Sequence, residues 1–71
     1  MVEEFTKKEL EIIKLIAEEG LFTRKDLAEK LVVSEITVRT HIDNICNKIN
    51  TNRIAGIVKF YFEEMRGNER Y

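Results

Sequence analysis

The sequence predicts an all-α fold, a single domain of four short helices over residues 1–71, and three observations predict it. Apolar residues recur at three- and four-residue steps in four separate segments, the period of helices that bury one face. A hydroxyl side chain able to cap a helix precedes each of the first three segments, at Thr6, Thr23 and Ser34. Proline is absent and glycine occurs only at Gly20, Gly56 and Gly67, which serves turn-rich β folds poorly.

Helix one is expected over about 7–19. Thr6-Lys7-Lys8-Glu9 has the capping-box form, a hydroxyl for the first orphan amides and a carboxylate that reaches back. Leu10, Ile13, Ile16 and Ala17 then mark an apolar stripe that Ile12 and Leu15 widen, and Gly20 supplies the left-handed residue that ends it. Thr23 caps helix two, about 24–31, with Asp26 in the favourable first turn and Leu27, Ala28 and Leu31 facing inward. Val32 and Val33 are β-branched and suit a short buried turn better than more helix. Ser34 caps helix three, about 35–49, whose inner stripe is Val38, Ile42, Ile45, Cys46 and Ile49. Its opposite face presents Glu35, Ile36, Arg39, Thr40, Asp43 and Asn47, rich in hydrogen-bonding groups. After the Asn50–Asn52 loop, helix four is expected over about 53–65, with Ile54, Ile57, Val58, Tyr61 and Met65 inward and a frayed tail from Gly67.

Composition narrows the function classes. One cysteine, Cys46, excludes an internal disulfide framework and a Cys-based zinc site, and its place on the inner stripe reads as a small core hydrophobe. No apolar run approaches the roughly 20 residues of a membrane span, and the acidic opening Met-Val-Glu-Glu is the reverse of a signal peptide. A cytoplasmic chain without membrane contact is expected. No nucleophile–base pair, metal-ligand set or phosphate loop is present, so no enzyme, metal or cofactor is expected. His41, with no second histidine or cysteine pair beside it, reads as a packing residue rather than a ligand. Net charge is −1, which disfavours indiscriminate nucleic-acid binding. Yet residues 23–53 carry six basic and four acidic side chains, a surplus of +2 that leaves −3 elsewhere.

Two helices joined by a turn of about three residues, the second longer and polar outside, form a helix-turn-helix pattern. Ala28 lets the helices cross closely, Val38 fills the crossing, and Arg39, Thr40, Asp43 and Asn47 are left free to meet base edges in a major groove.

The residues also carry a family resemblance over about 5–62. Phe5-Thr6-Lys7-Lys8-Glu9-Leu10-Glu11-Ile12-Ile13 resembles the LTxRE opening of LuxR/GerE-type DNA-binding domains. Leu27-Ala28-Glu29-Lys30-Leu31 followed by Ser34-Glu35-Ile36-Thr37-Val38-Arg39-Thr40-His41-Ile42 resembles the helix-turn-helix of that family, and Ile45, Lys48-Ile49 and Arg53 resemble its close. The resemblance implies a sequence-specific, dimeric transcriptional regulator that binds double-stranded DNA. It places Arg39, Thr40 and Asp43 at base contacts, where arginine suits guanine O6 and N7. It places Ser34, Thr37 and Lys48 on the DNA backbone, with Arg24 and Lys25 as further backbone contacts. Asp43 departs from the basic or amide residue common there. It has two readings, an acceptor for cytosine N4 or an i, i+4 restraint on Arg39. Glu9 and Arg53 are open to two readings as well, an ion pair between first and last helices or two independent surface charges.

Helix four has more apolar residues than one face uses, since Phe60 and Phe62 fall off the inner stripe. A homodimer contact through this helix is expected, with Gly56 letting two helix backbones approach. The alternatives are a sigma-factor-like promoter-reading domain that contacts RNA polymerase, with a polar, monomeric last helix, or a scaffold that binds protein only.

Overall fold

The computed structural model describes residues 5–65, and the tail expected from Gly67 lies outside them. Four helices follow in order: α1 Lys7–Glu19, α2 Arg24–Leu31, α3 Glu35–Lys48 and α4 Ile54–Phe60. A π-helical turn, Tyr61–Met65, continues α4. No strand occurs among the described residues, and no helix there is long and apolar enough to cross a membrane. The expected all-α fold is the one observed.

The caps explain why the helices start where they do. At α1 the capping box closes in both directions: the Glu9 amide donates to Thr6 Oγ1 at 3.1 Å, and the Thr6 amide donates to Glu9 Oε1 at 3.0 Å. Thr23 Oγ1 accepts from the Asp26 amide, and Ser34 Oγ from the Thr37 amide, each at 3.1 Å. Arg53, at the N-cap of α4, makes no such bond, and the helix begins at Ile54, one residue after the expected start.

α1 packs on α3 and on α4 with its π-helical extension, while α2 packs on α3. The core between them is Ile12, Ile13, Ile16, Leu27, Val38, Ile45 and Ile57, all fully buried, with Phe5, Leu15, Ala28, Tyr61 and Met65 closing its edges. The Tyr61 hydroxyl donates to the Glu18 carboxylate and so ties the end of α4 to α1.

Three helices end on a left-handed residue: Gly20 at φ 71°, Val32 at φ 58° and Asn50 at φ 61°. Glycine and asparagine adopt this conformation at little cost, and a β-branched residue does not. The expected buried turn is half wrong. Val33 is half-buried, but Val32 is 88% exposed, because its backbone closes α2 through the Val33 amide on the Ala28 carbonyl. Left-handed backbone costs an L-residue roughly 1–2 kcal/mol, and glycine's added chain entropy costs roughly 0.5–1 kcal/mol. Val32→Gly is therefore expected to stabilise the domain by about 0.5–1 kcal/mol, a rise of several degrees in a thermal melt.

Gly56 is accounted for inside the chain. A Cβ there would lie 2.7 Å from Thr51 Cβ and 2.9 Å from Thr51 Cγ2, so the glycine lets the Asn50–Asn52 loop close against α4. The glycine is thus accounted for within one chain, without the second copy that was expected to approach it. Gly56→Ala is expected to lose about 1 kcal/mol net in urea unfolding, overpacking of roughly 1–3 kcal/mol exceeding the helix-propensity gain of about 1.

Candidate nucleic-acid interface

The helix-turn-helix is α2, the Val32–Ser34 turn and α3. Val38 and Ile45 are fully buried, and Ile42, Cys46 and Ile49 half-buried. They lock one side of α3 against α1, α2 and α4. All six residues of the opposite face, Glu35, Ile36, Arg39, Thr40, Asp43 and Asn47, are exposed. The 14 residues of α3 span roughly 21 Å at 1.5 Å per residue, enough to lie across several base pairs.

Arg39 Nε stands 3.9 Å from Asp43 Oδ2, with both side chains about two-thirds exposed. So loose and solvated a pair contributes about 0–1 kcal/mol and gives way to a better partner at little cost. The Thr40 hydroxyl donates to the Ile36 carbonyl at 3.1 Å, which engages its proton within the helix. Ser34 Oγ and Thr37 Oγ1 are bonded to each other at 3.0 Å at the start of α3. Arg24 and Lys25 are exposed in the first turn of α2. Cys46 is half-buried; burial, then the negative charge of Asp43, pushes its thiol up, the state of a packing residue rather than a nucleophile.

Beside the outer face of α3 runs an open groove of about 680 Å³, bounded by the first turns of α2 and α4. Arg24, Arg39 and Arg53 line it together with Asp43, Asn47 and Asn52. The sequence reading missed Arg53 and Asn52 as members of this surface, although the +2 surplus of residues 23–53 pointed to the region.

Lys48 is placed elsewhere. Its ammonium donates to Glu9 Oε1 at 2.7 Å and lies 5.5 Å from the centroid of the Phe5 ring. Glu9 is only 3% exposed. Both readings of Glu9 with Arg53 fall, since Glu9 is neither an exposed charge nor the partner of Arg53. Lys48, expected on the DNA backbone, serves as the counter-ion of a buried carboxylate. Burial alone would push the Glu9 carboxyl up. The Lys48 hydrogen bond, the Thr6 amide and the charges of Lys48 and His41 outweigh burial and hold it below the usual 4.5.

Comparison with known proteins agrees with this architecture. The family model "Bacterial regulatory proteins, luxR family" matches residues 3–61. The chain belongs to the luxR family. It therefore carries a DNA-binding domain of bacterial transcriptional regulators. It is 50% identical over 60 residues to the uncharacterized transcriptional regulatory protein YxjL of Bacillus subtilis, a match covering 84% of this chain and 27% of that one. It is 46% identical over 50 residues to the transcriptional regulatory protein LiaR of the same organism, covering 70% of this chain and 23% of LiaR. The oxygen regulatory protein NreC of Staphylococcus epidermidis is 42% identical over 55 residues, covering 78% of this chain and 24% of NreC. The chain thus spans about a quarter of the length of the curated relatives it matches. No solved structure gives a significant match.

Proposed function

We propose that this luxR-family domain reads a specific double-stranded DNA site by laying the outer face of α3 in the major groove. One observation carries the reading: six exposed side chains occupy that face while Val38 and Ile45, on the other side of the same helix, are fully buried. A helix so divided presents base-reading groups without giving up its hold on the body. Arg39 is the primary base reader, Thr40 reads beside it, and Asp43 either accepts from cytosine N4 or restrains Arg39. Ser34, Thr37, Arg24 and Lys25 meet phosphates, and Arg53 joins them from the far lip of the groove. Lys48 is left out of the contact set because Glu9 occupies its ammonium. No step in this function is catalytic.

The proposal includes pairing of two copies through the outer side of α4. Phe62 is 43% exposed and is the side chain best placed for it. Phe60 is half-buried and stands edge-on to Phe5, ring centroids 5.7 Å apart, so only its outer side remains for a partner. Gly56 has no part in the pairing. Sedimentation equilibrium on the parent and on Phe62→Ser is expected to give a dimer at high concentration for the first and a monomer for the second. A monomeric parent at every concentration removes the dimer from the proposal and favours the RNA-polymerase-contacting alternative.

Selection of bound duplexes from random DNA tests the main reading. A single consensus is expected, with NMR amide shifts on titration concentrated in residues 34–47. Shifts confined to α1 or α4, or no selected sequence at low salt, would sink it in favour of a protein-only scaffold.

A further inference from the structure

We propose that Ile36 is a specificity-determining residue that reads the 5-methyl group of a thymine, an inference that rests on the DNA-reading role of α3. Ile36 is 78% exposed, in the first turn of α3, two residues beyond the Ser34 cap. Its side chain belongs to no part of the core: the inward stripe of this helix is carried by Val38, Ile42 and Ile45. Every other residue of its face of α3 is polar or charged, so along this helix Ile36 is the one apolar group among hydrogen-bonding side chains; the exposed Val32 lies in the turn before the helix. Thr40 lies one turn further on. The Thr40 hydroxyl donates to the carbonyl of Ile36 itself at 3.1 Å, so its proton is already engaged within the helix. An exposed β-branched residue is a poor choice for helix propensity and solubility alone. Its χ1 is held almost wholly in one rotamer by the helix, so it presents a fixed shape to a partner.

The surroundings identify the partner. The first residues of a recognition helix come nearest the base edges, and the major-groove edges of unmodified DNA offer one apolar group, the C5-methyl of thymine. Donors and acceptors elsewhere in the groove give an isoleucine nothing. Ile36 therefore adds a thymine requirement beside the base pair read by Arg39, its neighbour three residues on along the same helix face.

Removal of that methyl alone is the test. In the duplex selected above, each thymine is replaced singly by uracil, and the affinities of the parent, Ile36→Ala and Ile36→Val are compared. At one thymine in each bound site, uracil is expected to weaken the parent roughly fourfold, the factor set by burying one methyl group. Ile36→Ala is expected to bind the thymine and uracil duplexes alike, and Ile36→Val to keep most of the discrimination. Circular dichroism should show all three folded, since the side chain touches no core residue. Indifference of the parent to every uracil overturns the inference and leaves the DNA-reading role standing. Equal losses in the parent and Ile36→Ala overturn it too and assign the methyl contact to another side chain. Failure to select any duplex removes the DNA-reading role and this inference with it.

Discussion

Lys48→Met is expected to unfold with about 3 kcal/mol less free energy than the parent, the largest loss foreseen for any residue outside the apolar core. Glu9 sits 3% exposed under the ammonium of Lys48. Taking away one partner of such a pair leaves a charge stranded, which costs roughly 3–5 kcal/mol when both partners are buried. The Lys48 side chain is 31% exposed, so water screens part of the interaction and the lower end of that range applies. Stability against pH separates this account from simple loss of packing. In the parent the folded Glu9 pKa lies below its ordinary 4.5. Its contribution is therefore complete above about 4.5 and fades as pH falls through the folded value. In Lys48→Met the main opposing influences are gone and burial raises the folded pKa, so protonation favours the fold. The deficit of the variant is thus expected to shrink as urea titrations move from pH 7 to below 4.5. A deficit independent of pH would show that the Lys48 stem, not its charge, matters. At pH 7 and a temperature where both are folded, the salt dependence of DNA binding should be the same for the two proteins. A flatter slope for the variant would return Lys48 to the DNA backbone.

Local chemistry was legible in the sequence, and register between helices was not. The caps at Thr6, Thr23 and Ser34 are bonds spanning three residues, and they placed the starts of α1, α2 and α3 at the residues observed. The apolar stripes likewise picked out Ile13, Leu27, Val38, Ile45 and Ile57 as core. The same period could not show that α4 widens into a π-turn at Tyr61, since inward residues recur at similar steps either way. Glu9 looked like a capping residue with spare charge. Its partner lies 39 positions away, and only the packing of α1 on α3 brings the two together. Val32 hid its left-handed backbone because nothing in a valine announces positive φ, whereas Gly20 did. The outer face of α3 was readable because an amphipathic helix separates its two functions by angle alone, and all six of its residues are exposed.

Arg39→Ala is expected to cost about 1–3 kcal/mol on the selected site, roughly 5- to 150-fold, and to relax the requirement at one base pair. Arginine meets guanine through two parallel hydrogen bonds, and alanine leaves those acceptors dry without another donor. The Asp43 contact does not weaken this expectation. At 3.9 Å and two-thirds exposed, it does not compete strongly for the guanidinium. Asp43→Asn then distinguishes the two roles open to that carboxylate. As a restraint, its loss lowers discrimination only at the base pair that Arg39 reads, and a double-mutant cycle between the two positions shows coupling of a few tenths of a kcal/mol or more. As an acceptor for cytosine N4, its loss relaxes a second, separate base pair, and the cycle is additive. Under either role, removing a negative charge that faces phosphates should tighten binding to unrelated sequences, most at low salt. Arg39→Ala binding the selected site as tightly as the parent would strip Arg39 of base reading and move the recognition of sequence to Ile36, Thr40 and Asn47.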